Sequence, residues 1–99
     1  MRRIFKYQLS IDDTIKVPVP GNRPEVLHVG IQGGVVCVWI IVDPDSPVEE
    51  TCHLVLRGTG HPLPDECSKA NYVGTVHLGP FVWHVFLIEG GTKKKKQTP

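Results

Sequence analysis

Residues 57–64 read Arg57-Gly58-Thr59-Gly60-His61-Pro62-Leu63-Pro64. Two glycines one residue apart let backbone N–H groups converge on an anion. Arg57 and His61 would add charge to such a nest, and Thr59 a hydroxyl. Two prolines stiffen the exit. No Gly-Lys-Ser/Thr follows and no helix pattern begins, so the segment is neither a P-loop nor a dinucleotide fingerprint. The same glycines also suit a rigid connection that asks only for unusual backbone angles, and both readings stand at this level. Function collects on rigidly held loops. Arg57, Gly58, Thr59, Gly60 and His61 are therefore the first candidates for contact with a ligand or partner. His84 joins them, with Tyr72 or Trp83 as stacking or anchoring groups.

Other chemistry is thinner. Zinc sites announce themselves by close ligand pairs. The one tight pair, Cys52-His53, points to opposite faces of a strand, so no metal is expected. His28, His77 and His84 stand within apolar strands, where a hydrogen-bonded ring is the ordinary role. Nucleophilic hydrolysis needs a nucleophile, a base and an orienting group. Ser46 and Ser68 lack a Gly-x-Ser-x-Gly elbow. His61 with Asp65, or with Cys67, would be the hydrolytic alternative. The acids at Asp12-Asp13, Asp43/Asp45, Glu49-Glu50 and Asp65-Glu66 read as solvated turn or strand-edge residues. No cofactor is implied.

These residues must be held by strands. Phe5, Tyr7 and Leu9 alternate with Lys6 and Gln8 in a half-buried strand. Ile15, Val17 and Val19 alternate next, but Pro18 and Pro20 cannot donate to a ladder, so this strand must be short or lie on an edge. Residues 25–32 carry Leu27, Val29 and Ile31, and Gln32-Gly33-Gly34 predicts a tight hairpin. Residues 35–42 are apolar on both faces, as are 81–88, so both strands should be central. Residues 48–57 and 72–78 complete seven strands, with a long loop over 58–67. No window carries a useful amphipathic helix. The fold class is mainly β: a small antiparallel β-sandwich or partly open barrel of about seven strands, with little helix. A domain this small has little chain with which to seal both faces of two apolar strands. One face of 35–42 or 81–88 would then meet another copy, giving a homo-oligomer. A single well-filled core is the competing reading.

The chain has 99 residues, with 40% hydrophobic and 21% charged, which suits one folded domain. Its net charge of +1 hides an asymmetry. Without Lys93–Lys96 the body has seven basic residues against ten acidic ones. That is no nucleic-acid surface, apart from weak contacts of the lysine tail. Residues 1–91 are read as one β-rich domain and 92–99 as a disordered Lys-rich tail. The longest apolar run, Val35–Val42, has eight residues, far short of a membrane helix. The start carries no secretion signal pattern. Three cysteines, Cys37, Cys52 and Cys67, do not make a disulfide framework, so a cytoplasmic setting is expected. Cys37 and Cys52 are placed in the core, and Cys67 is expected at the surface.

Several segments are familiar together. They are Arg3–Tyr7, Leu27-His28-Val29, Trp39 with Val42-Asp43-Pro44, Gly58-Thr59-Gly60-His61-Pro62, Tyr72-Val73-Gly74-Thr75 and Trp83-His84-Val85-Phe86. In order and spacing, over about residues 3–87, the chain resembles a family of small uncharacterised proteins from bacteriophages and their bacterial hosts. The resemblance implies a phage accessory protein in the host bacterial cytoplasm. The expected function is a non-enzymatic binding module that sequesters or inhibits a host component, either a protein or a small, nucleotide-like anionic ligand. A small hydrolase using His61, or a structural virion component, are the alternatives.

Overall fold

The structure, a computed structural model, describes residues 1–93. Its strands are β1 (Arg3–Gln8), β2 (Thr14–Pro20), β3 (Glu25–Gln32), β4 (Val35–Val42), β5 (Glu49–Gly58), β6 (Tyr72–Leu78), β7 (Phe81–Glu89) and β8 (Thr92–Lys93). They form two four-stranded sheets, ordered β1-β4-β3-β8 and β2-β5-β7-β6. Every pairing is antiparallel except the short β3–β8 contact. The result is a sandwich and not a closed barrel. No helix among the described residues is long and apolar enough to cross a membrane.

The alternation of each strand builds the core. The first sheet turns Val26, Val29, Val36, Val38, Ile40 and Val42 inward. The second opposes them with Val17, Val19, Cys52, Leu54, Leu56, Val76, Val85 and Leu87. Ile40 and Leu54 are fully buried, and burial of each such side chain contributes about 1.5–3 kcal/mol. The doubly apolar strands β4 and β7 are interior to their sheets, as their patterns require, and β5 is interior as well. Pro-bearing β2 is an edge. Gly33 and Gly34 both take positive φ and close the β3–β4 hairpin.

The chain itself covers part of the outer face of β7. Val55, Phe86 and Cys67 form a second buried cluster, with Ile88 packed against it. Residues 59–71 therefore fold back over the second sheet. Cys67 is buried, not exposed as its polar neighbours suggest. Its thiol replaces solvent over Val55 and Phe86, and apolar area outweighs the local sequence polarity. On the first sheet, Trp39 lies across Gly30 and beside His28, with ring centroids 5.7 Å apart.

The chain adds one strand to the expected seven. Thr92 and Lys93, read from sequence as the start of the tail, pair with Glu25 and Val26 as β8. Residues 94–99, the rest of the expected tail, lie outside the described residues.

Burial, with Glu50 nearby, pushes the Cys52 thiol up to about 11. The fold thus favours the neutral thiol. That contribution is whole below the ordinary value of 9.0 and is lost as pH rises through about 11. The alkaline fall in melting temperature across this window should be shallower in Cys52→Ala than in the native chain. All three native thiols should resist an aromatic disulfide reagent at pH 8 and react fully in denaturant.

Candidate functional site

The loop after β5 is tied down from below by Arg57. Its Nη1 donates to the carbonyl oxygens of Asp13 at 2.7 Å and Leu56 at 2.9 Å, and Nε donates to Pro62 O at 3.2 Å. The Asp13 carboxylate is 3.8 Å away and 91% exposed, whereas the Arg57 side chain is only 18% exposed. The exposed ion pair contributes at most about 1 kcal/mol. Bonds from a charged donor to a carbonyl are worth about 1.5–3 kcal/mol each. Arg57 is thus chiefly a clamp that joins the β1–β2 turn, β5 and the exit of the loop.

The glycines do not form an anion nest. Gly58 N–H donates to His61 Nδ1 at 3.3 Å, Thr59 N–H to Val82 O and His61 N–H to Gly58 O. The Gly58 and His61 donors close the loop on itself, the Thr59 donor ties it to β7, and none of the three is free to converge on an anion. Gly58 permits a close approach: a Cβ there would stand 2.8 Å from the His61 ring. With Nδ1 accepting, the neutral His61 ring carries its proton on Nε2. The Trp83 ring lies edge-on at 6.3 Å from His61, and Phe81 lies 6.1 Å from Trp83.

His61 is exposed and stands where three depressions meet. One, of about 180 Å³, lies between His61, Pro80, Phe81 and Trp83. A second, of about 520 Å³, runs along Arg57, Asp13 and the Pro62-Leu63-Pro64 exit. The third, of about 190 Å³, is bounded by Thr59, Gly60, Leu63, His84 and Phe86. Phe81, 60% exposed, and Leu63 add apolar surface at this end.

A hydrogen-bonded chain crosses the outer face of the second sheet. Thr59 Oγ1 lies 2.7 Å from His84 Nε2, and Thr75 Oγ1 lies 2.9 Å from His84 Nδ1. The Tyr72 hydroxyl bonds to Thr75 Oγ1 in turn. A neutral imidazole donates from one nitrogen and accepts at the other, so the chain has a direction. In one direction the Tyr72 O–H is left to donate outward. In the other the Thr59 O–H is. Protonation of His84 makes both ring nitrogens donors and turns both threonine hydroxyl hydrogens away from the ring.

The structure brings Thr59, His84 and Tyr72 onto one face, with Thr75, which the sequence reading missed. Tyr72 and Thr75 differ by three positions and would face opposite ways in a regular strand. The β6–β7 register shifts between Tyr72 and Gly74. That irregularity restores a shared face, and Gly74 inside a strand pattern is its sequence trace. Trp83 lies on the opposite face of β7, against the main core, and meets His61 only at the sheet's end. The Cys67–His61 pairing is overturned by burial of Cys67, which also raises its thiol pKa. His61 Nδ1 holds the Gly58 N–H and no carboxylate. No group of three or more metal-ligating side chains occurs among the described residues.

Residues 1–95 match the family model of DUF7352, a domain of unknown function. The chain belongs to this family. No curated protein and no solved structure matches it.

Gly58→Ala should force the exposed His61 ring off its seat while changing stability by no more than about 1 kcal/mol. Urea denaturation, together with the displaced His61 ring resonances, measures this.

Proposed function

We propose that this DUF7352 chain is a non-enzymatic recognition module that captures a host component at the Gly58–His61 loop. The reading includes a phage-type accessory role in the bacterial cytoplasm. The observation that carries it is an exposed imidazole at the meeting point of three depressions, on a loop held by a partly buried arginine. Binding favours such preorganisation, because little ordering remains to be done.

Two surfaces would share the work. Phe81, Trp83, Leu63 and the His61 ring supply apolar and aromatic contact. The Thr59–His84–Thr75–Tyr72 chain supplies polar groups that can present either a donor or an acceptor. A small anionic group suits the state in which hydroxyl hydrogens face outward. A host protein would use the aromatic part as an anchor. Arg57, Gly58 and Gly60 shape the loop in either case.

Native mass spectrometry of the protein isolated from infected cells should show an added mass of ligand or protein. The added mass should vanish in His61→Ala and in Thr59→Val. Stability of both variants should stay within about 1 kcal/mol, as for exposed loop residues. Retention of the bound species in both variants, or a large loss of stability with binding intact, would defeat the proposal.

A further inference from the structure

The two sheets end on unlike edges at one side of the sandwich. β2 bounds the second sheet and carries Pro18 and Pro20, which cannot donate to an added strand. β1 bounds the first sheet and contains no proline. It is exposed at every position but Tyr7, with Ile4 at 59% and Phe5 at 37%.

Register shows which backbone groups this edge offers. Leu9 N–H donates to Val36 O at 2.8 Å, directly opposite in the β1–β4 ladder. Antiparallel ladders alternate bonded and non-bonded pairs. Tyr7, Phe5 and Arg3 therefore bond to β4, and the N–H and C=O groups of Ile4, Lys6 and Gln8 face outward. Residues 4–8 thus hold a ready ladder on their free side.

We propose that β1 pairs antiparallel with β1 of a second copy, joining the two first sheets into one continuous sheet across a two-fold axis. Among the registers centred on Ile4, Phe5 and Lys6, the side chains favour one. Centring the axis on Phe5 sets Phe5 against Phe5 of the partner subunit as a close, non-bonded aromatic pair. Arg3 then faces the ring of Tyr7 of the partner subunit, a cation–π contact. Ile4 lies along the aliphatic stem of Lys6 of the partner subunit, and their outward N–H and C=O groups complete the ladder. Centring on Lys6 would oppose two lysines. Centring on Ile4 would oppose Lys6 with Arg2 of the partner subunit. Both place like charges face to face. The preferred register alone among these three sets no basic side chain opposite another while pairing the aromatics. This interface is independent of the His61 site and of the reading given to it.

Cysteine scanning with analytical ultracentrifugation tests the pairing. All three native thiols are buried, so an introduced exposed thiol reports alone. Non-bonded antiparallel partners stand about 4.5 Å apart at Cα, inside the disulfide window of about 4.4–6.8 Å. Phe5→Cys should form a covalent dimer under mild oxidation, and Lys6→Cys should not. The native chain should sediment as a dimer. Lys6→Ala, which keeps the N–H, should remain dimeric. Lys6→Pro, which removes only an outward N–H, should be monomeric. Phe5→Arg, an exposed change that leaves the β1 backbone untouched, should also be monomeric, which keeps the test sound if the proline variant unfolds. A native chain that stays monomeric up to millimolar concentration overturns the proposal. So does a folded Lys6→Pro or Phe5→Arg dimer, or cross-linking at Lys6→Cys in place of Phe5→Cys.

Discussion

The Arg57 guanidinium decides the shape of the loop that follows β5. Three main-chain carbonyls, from Asp13, Leu56 and Pro62, converge on two of its nitrogens. A carbonyl half-withdrawn from water needs a donor, and one fixed planar cation supplies several in a single geometry. The clamp fixes where the Gly58–His61 turn leaves β5 and where its proline exit returns. The Thr59 side chain then reaches His84, and the His61 ring settles over Gly58. Arg57 thus positions the exposed imidazole through the loop it holds.

The same loop has a second duty in the core. β7 is apolar on both faces, and only one face meets the opposite sheet. Residues beyond the prolines fold back and place Cys67 over Val55 and Phe86. One connection therefore closes the hydrophobic account of the outer face and presents the exposed imidazole. Its inner part is anchored by apolar burial, while its tip stays in solvent. That division holds a surface loop of a small domain in place without a disulfide.

Edge chemistry separates the two sheets in the same way. Prolines in β2 remove donors from one free edge, whereas β1 keeps a complete outward set. Arg3 and Lys6 on that edge stand on opposite faces of the strand, so their charges do not bar every partner. They disfavour the registers centred on Ile4 and Lys6 and favour the one centred on Phe5.

Much of this architecture was written in local pattern. Period-two alternation located all seven long strands, double-sided apolar runs placed β4 and β7 inside their sheets, and two prolines sent β2 to an edge. These features depend on neighbours in sequence, because a strand's faces and donors are set residue by residue. Domain-family membership adds no mechanism, and the candidate loop was found from its residue types. What tertiary structure alone decided was which groups meet. A register shift at Tyr72–Gly74 turned Thr75 toward His84. A folded-back loop buried Cys67 despite its polar neighbours. Loop closure directed the Gly58 and Thr59 N–H groups inward, leaving no anion nest. Each outcome balances distant partners against local preference, and apolar burial or a satisfied donor won. A sequence records the local preference; only the assembled sheets supply the competing partner.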